Sequence, residues 1–139
     1  MILTKFIVLL SRIRNFFIHE SEEKKYMKRG VTIGENTHLL GCNIDGVVPY
    51  LVSIGDNTTI THATILCHDA STKKTLGYTK VGRVVIGDNV FIGWGGYVLG
   101  NVKIGNNVII GAGTVVTKDI PDNSVVVGNP CKIVGSYDS

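Results

Sequence analysis

Apolar residues recur at every sixth position from Ile86 to Pro121. The stretch divides into IGDNVF, IGWGGY, VLGNVK, IGNNVI, IGAGTV and VTKDIP, and an aliphatic residue opens each block. A period of six is neither the 3.6 of a helix nor the 2 of a flat strand, so it marks a repeat architecture. The marker Gly-x-Asn after an isoleucine appears at Ile33-Gly34-Glu35-Asn36, Ile54-Gly55-Asp56-Asn57, Ile86-Gly87-Asp88-Asn89 and Ile104-Gly105-Asn106-Asn107. The last two markers are three blocks apart, which predicts a three-sided coil with Gly and Asn at corners that need a positive φ. Short strands would stack on their counterparts one coil later, about 4.8 Å away, and bury Ile86, Ile92, Val98, Ile104, Ile110 and Val116.

The earlier intervals are longer, so chain is inserted. An insertion is expected near Gly46 to Tyr50, and a longer excursion between about Ser71 and Arg83. Long loops on a regular scaffold commonly carry function, and His68 and Asp69 stand at the base of this one. From Asn123 to Val134 the chain reads as an extended segment closing the stack, which leaves 31–134 as the repeat body and 135–139 as a tail.

Ahead of the repeats the period is helical. Ile2, Leu3, Phe6, Ile7, Leu10, Ile13, Phe16 and Phe17 form an apolar stripe over about 2–18, and a second helical stretch follows over about 21–29, so 1–30 is an N-terminal helical segment. Lys5, Arg12 and Arg14 interrupt every run long enough to span a bilayer. No small-residue cleavage site follows a short apolar core. The stripe is expected to pack against the body or a neighbouring subunit, with attachment to a membrane surface as the alternative.

Composition narrows the classes. The 139 residues suit one domain, and the 17 glycines suit many tight turns around an aliphatic interior. The net charge of +3 comes from scattered basic residues without interleaved aromatics, which argues against nucleic acid. Three cysteines, Cys42, Cys67 and Cys131, show no CxxC spacing, and an odd count points to a reducing cytoplasm.

IGDNVFIGWGGYVLGNVKIGNNVIIGAGTVVTKDIPDNSVVVGNPCKIV resembles the C-terminal half of hexapeptide-repeat acyltransferases, which include galactoside, maltose and serine O-acetyltransferases and enzymes acting on bacterial surface polysaccharides. IGAGTVVTKDIP followed by VVGNPCKIV is specific to the acetyltransferase branch, and YMKRGVTIGEN and ILCHDAS are most similar to the polysaccharide-type enzymes. The resemblance implies an all-β, left-handed parallel β-helix, assembled as a homotrimer with sites between subunits. It further implies an acetyl-CoA-dependent O-acetyltransferase acting on a sugar or polysaccharide hydroxyl in the cytoplasm or at the inner face of the membrane.

The resemblance also marks His68 as general base, a role that a near-neutral imidazole at a solvent-reachable edge fits chemically. Asp69 is a candidate to orient that ring, although adjacent strand residues point to opposite faces. Asp45 and Asn43 match the region where similar enzymes carry an Asn or Asp that contacts the acceptor or steadies the histidine. Coenzyme A matches Trp94, Ala112, Thr117, Lys118 and Lys132, with a backbone N–H near Gly95 or Gly96 holding the oxyanion. No metal is expected.

Small-molecule acetyltransferases of the serine or maltose/galactoside type are one alternative. A γ-carbonic anhydrase-like metal enzyme would need three histidines converging from two β-helices, and a non-catalytic β-helix would leave VTKDIP and the loop at His68 unexplained. Cys67 as a covalent nucleophile would sit on the face opposite its only adjacent base.

Overall fold

The aliphatic residues that open the six-residue blocks share one interior, where Ile86, Ile92, Val98, Ile104, Ile110 and Val116 are all buried. A computed structural model describes residues 1–18 and 20–138, with the side chains of residues 13–18 outside the described residues. Two helices, α1 (Ile2–Ile18) and α2 (Glu22–Lys28), precede the coils.

The first coil runs through β1 (Thr32–Ile33), β2 (His38–Leu40) and β3 (Asn43–Ile44). The first insertion contains a 3-10 turn, Pro49–Leu51, and leads into β4 (Val52–Ile54), β5 (Thr59–Thr61) and β6 (Thr64–Ile65). The long excursion follows as β7 (His68–Asp69), α3 (Lys73–Leu76) and β8 (Lys80–Val81). Regular coils resume with β9 (Val84–Ile86), β10 (Phe91–Ile92) and β11 (Tyr97–Val98), then β12 (Val102–Ile104), β13 (Ile109–Ile110) and β14 (Val115–Val116). The chain closes with β15 (Ser124–Val127) and β16 (Lys132–Ser136).

Three parallel sheets form the sides of a prism. They are ordered β1-β4-β9-β12, β2-β5-β10-β13-β15 and β3-β6-β11-β14, and β16 pairs antiparallel to β15. The register keeps like on like: Ile33, Ile54, Ile86 and Ile104 form one buried or half-buried column, and Leu39, Ile60, Ile92, Ile110 and Val126 another. Both insertions leave between sides, so the strands before and after them stay in step.

The Gly-x-Asn marker works differently from the expectation. Asn36, Asn57, Asn89 and Asn107 do take positive φ, between 51° and 56°, as does Asn123. Gly34, Gly55, Gly87 and Gly105 do not. They are needed for closeness: a Cβ on Gly87 would lie 2.4 Å from Asn106 Oδ1 and 2.7 Å from the Gly105 carbonyl oxygen. The crowding exists because the residue after each glycine bonds to the coil below. Glu35 N–H donates to Asp56 Oδ1 (2.7 Å), Asp56 N–H to Asp88 Oδ1 (2.8 Å), Asp88 N–H to Asn106 Oδ1 (2.8 Å) and Asn106 N–H to Asp122 Oδ1 (2.7 Å).

The open edge of the first coil is covered by α2. Ser21 caps this helix through Lys24 N–H. Leu39 N–H donates to Glu23 (2.7 Å), Gly41 and Cys42 N–H donate to Glu22 (2.9 and 3.0 Å), and Tyr26 Oη donates to the Cys42 carbonyl (2.9 Å) while accepting from Ile44 N–H (3.2 Å). The side chains of residues 1–10 are exposed, so this part of α1 does not pack on the body, which corrects the expectation for these residues. Ile13, Phe16 and Phe17 of the stripe lie outside the described side chains.

Replacing Gly87 by Ala should cost at least about 2 kcal/mol, since two oxygens must move. Gly46→Ala, where an added Cβ meets nothing within 4 Å, should be neutral or slightly stabilising. Equal denaturant midpoints for the two variants would show that closeness is not what the marker glycine supplies.

Candidate active site

Two turns of the coil bring together residues far apart in sequence. Asp45 follows β3, and its N–H donates to the Ile65 carbonyl (2.9 Å), which places it one coil from the end of β6. The strand there continues through buried Cys67 to His68, whose β7 pairs antiparallel with β8 at His68↔Val81 and Asp69↔Lys80. Alternation buries Ile65 and Cys67 and turns His68 outward.

The Asp45 carboxylate is the hub. It is 2% exposed. Its Oδ1 accepts from Val47 N–H (2.8 Å) and Val48 N–H (3.0 Å), closing the first insertion into a tight turn. Its Oδ2 accepts from Cys67 N–H (2.7 Å), His68 N–H (3.0 Å) and His68 Nδ1 (2.6 Å). Burial alone would raise the Asp45 pKa, but the N–H groups of Val48, Val47 and Cys67 and the His68 imidazole outweigh it and hold the carboxyl well below the usual carboxylate range. An ionised carboxylate only accepts hydrogen bonds. The shared proton therefore sits on Nδ1, and the Nε2 lone pair of a neutral ring is left as a base. The His68 side chain is 28% exposed where that of Asp45 is fully covered, so the ring reaches solvent at the edge of a cleft of about 700 Å³.

Leu66, His68, Lys80, Leu99, Asn101 and Thr117 are among the residues lining this cleft. Of the expected residues, His68, Asp69 and Thr117 line it, and Asp45 bonds directly to His68. Asp69 does not orient the ring. Its Oδ1 accepts from Ser71 N–H (2.8 Å) at the start of the excursion, because it points to the opposite face from His68. Asn43 lies exposed on β3, in register with Thr64 and Tyr97. Trp94 and Ala112 occupy a different corner, after β10 and β13; Lys118 and Lys132 are exposed. Within one chain, then, Trp94, Ala112, Lys118 and Lys132 do not line the His68 cleft, although Lys118 adjoins Thr117, which does.

One further expectation changes, and the objection to Cys67 as a nucleophile gains a second ground. The N–H groups of Gly95 and Gly96 are already given to the carbonyls of His62 (3.1 Å) and Gly93 (3.2 Å), so neither is free for an oxyanion. Cys67 is fully buried. Burial and the neighbouring Asp45 charge push its thiol pKa up, which disfavours the thiolate a nucleophile needs. Lys80, Leu99 and Asn101 of the cleft carry no motif signal in the sequence. The available signal was register, since Leu99 follows Tyr97, which pairs with Thr64, and so falls beside Leu66.

A family profile described as Bacterial transferase hexapeptide (six repeats) matches residues 83–118. Protein CapG of Staphylococcus aureus is 41% identical over 124 residues, covering 84% of this chain and 72% of that protein. A maltose O-acetyltransferase structure from Clostridium difficile matches with a TM-score of 0.60 at 29% identity, covering 95% of this chain and 84% of the other. A hexapeptide-repeat acetyltransferase of Vibrio cholerae solved with acetyl coenzyme A matches in fold with a TM-score of 0.68 at 24% identity, covering 78% of this chain and 61% of that one.

The Asp45 carboxyl, depressed in the folded protein, contributes stability that is fully present above its ordinary pKa of about 4 and is lost as pH falls toward its folded value. Asp45→Asn should therefore cost about 3 kcal/mol at neutral pH, by leaving buried donors without their charged acceptor. It should also flatten the loss of stability as the pH falls from about 5 to about 2. Urea midpoints measured across that range would show it; an unchanged acid limb would remove Asp45 from the account.

Proposed function

The chain belongs to the bacterial hexapeptide-repeat acetyltransferases, and from that membership we propose that it moves an acetyl group from acetyl coenzyme A directly to a hydroxyl of a sugar or polysaccharide precursor. The fold of the family is the left-handed parallel β-helix, and this chain is one, with a helical N-terminal segment. The observation that carries the mechanistic reading is the 2.6 Å contact between Asp45 Oδ2 and His68 Nδ1 at the edge of the cleft.

In this reading His68 Nε2 takes the proton of the acceptor hydroxyl as that oxygen attacks the thioester carbonyl. A C–O bond forms, the C–S bond breaks, and Nε2 returns the proton to the departing thiolate. Asp45 keeps the ring in the productive tautomer and stabilises it while it carries charge. No residue of the chain is acylated, in keeping with the buried thiol of Cys67.

Acetyl coenzyme A supplies the activated acyl group, and the residues suited to hold it are Ala112, Thr117, Lys118 and Lys132. A Cβ on Gly113, beside Ala112, would meet nothing within 4 Å, which leaves open backbone for the pantetheine arm. Lys118 and Lys132 are exposed and in no ion pair among the described residues, free to meet phosphates. Trp94 is left out of this groove because its ring lies on His62, toward the preceding coil.

Because one chain keeps Ala112 and Lys132 away from its own His68 cleft, a second copy must supply the facing wall. A homotrimer with sites between subunits does so by closed symmetry. We place the enzyme in the cytoplasm, where its donor is available, with α1 free to rest on the inner membrane face through its apolar side chains and basic residues. No helix among the described residues is long and apolar enough to cross a membrane.

His68→Ala should lower kcat by at least about a hundredfold while acetyl-CoA binding survives; turnover within a few-fold of the parent would exclude His68 as the base. Lys118→Ala or Lys132→Ala should raise KM for acetyl-CoA and leave the acceptor KM close to its original value, the pattern of lost uniform binding. An effect confined to the acceptor would refute the donor groove. Mixed assemblies of His68→Ala and Lys132→Ala chains should recover sites with both the parent kcat and the parent KM for acetyl-CoA, a combination that neither variant shows alone, whereas a fully active monomer in light scattering would exclude shared sites.

A further inference from the structure

The end of α2 reaches a part of the chain on which the proposed base depends. Arg29, the C-cap residue of this helix, donates from Nη2 to the carbonyls of Asp45 (3.2 Å) and Gly46 (3.2 Å). These residues open the turn that closes on the Asp45 carboxylate through Val47 and Val48 N–H. The turn is therefore held twice, by its own acid from within and by a guanidinium from outside. Hydrogen bonds from a charged donor are stronger than neutral ones.

The placement of Arg29 is itself built. Its guanidinium stands 5.6 Å from the centre of the Tyr26 ring, one turn earlier on α2. Tyr26 is in turn fixed through its hydroxyl, which bonds to the Cys42 carbonyl and to Ile44 N–H along β3. Tyr26 thus sets the strand that leads into Asp45, and Arg29 sets the turn that leads out. Directly after Arg29, Gly30 takes a φ of 93°, and a Cβ there would lie 2.8 Å from Tyr50 Cβ, in the 3-10 turn of the same insertion. The end of α2 and the first insertion are packed without room for a methyl group. Among the described residues no carboxylate pairs with Arg29, so the two carbonyls are its polar partners.

What this turn delivers to the site is the direction of one side chain. Two of the five donors to the Asp45 carboxylate are the N–H groups of Val47 and Val48, while Gly46 and Val47 are exposed and have little packing to hold them. We propose that Arg29 is a positioning residue for the transfer: by holding the Asp45 and Gly46 carbonyls it keeps the Asp45 carboxylate on His68 Nδ1, and so fixes Nε2 as the basic nitrogen. Arg29 touches neither substrate. The proposal rests on the acetyl-transfer reading for its effect on rate, but its effect on the ring is measurable without turnover.

In the full chain labelled with nitrogen-15 at histidine, with the His68→Ala spectrum identifying the His68 resonances, the parent should show the neutral tautomer protonated at Nδ1. Arg29→Gln should move the two ring resonances toward the average of a mixed population, and Arg29→Lys, which keeps a cationic donor, should recover most of the difference. In turnover, Arg29→Gln should lower kcat about tenfold and leave KM for acetyl-CoA unchanged, because a small displacement of an orienting group is felt in the transition state. Glu22→Gln loosens α2 elsewhere, at the Gly41 and Cys42 N–H groups. It should lower the urea midpoint while the His68 resonances and kcat stay at parent values. Shifted resonances in Arg29→Gln, with no acetyl transfer by the parent chain, would keep the positioning role and sink the activity. The role is overturned if Arg29→Gln leaves the resonances in place, or if Glu22→Gln shifts them as far, which would make Arg29 one more strut of helix docking.

Discussion

Every backbone N–H along the axis of a coiled stack must find an acceptor in the neighbouring coil, and much of this chain follows from meeting that demand. On the flat sides the parallel registers meet it directly. At the corners, where the backbone turns and ladder pairing lapses, the carboxylate or amide oxygens of Asp56, Asp88, Asn106 and Asp122 take over, each accepting from the coil above. Leu, Ile and Val then fill the interior, since the polar work is completed at its edges. Burying the backbone of a narrow prism is tolerable only under this accounting.

The site grows out of the same device. Asp45 is a corner acid, as Asp56 and Asp88 are, but at a corner opened by an insertion. There its two oxygens satisfy the turn Val47–Val48 on one side and the strand Cys67–His68 on the other, and the fifth donor is an imidazole rather than an amide. A structural bond has thus been extended by one atom into an orienting one. The four backbone donors fix the carboxylate in place and favour its charged form, so the ring meets a positioned acceptor. Such preorganisation is what a general base requires.

The prism was legible in the sequence because a period of six held over six blocks leaves little else to build, and the buried set beginning at Ile86 followed from that period alone. The position of His68 at the cleft edge was legible because a polar residue interrupts an aliphatic strand at the foot of a loop, while its role as a base was implied by the family resemblance. Its partner was less so. Asp69 is next in sequence, whereas Asp45 is next along the axis, and the insertion after Gly46 displaces it from the simple spacing that would have exposed the pairing. The glycines of the marker were assigned to the right corners for the wrong reason: their φ is ordinary, and the close neighbour that requires them belongs to another coil. The His62 and Trp94 stack was likewise hidden, since it depends on register between coils of unequal length.

The coverings at the two ends of the prism bear on what the molecule is prevented from becoming. A rod made of one repeated coil presents complementary edges, its first strands offering what its last strands need, and copies could in principle join end to end without limit. Here α2 answers the first edge with two carboxylates and a phenol, and β16 answers the last by running the opposite way to the strands it follows. The growth of a fibre is terminated within the monomer itself, leaving association to the flanks of the prism rather than its ends.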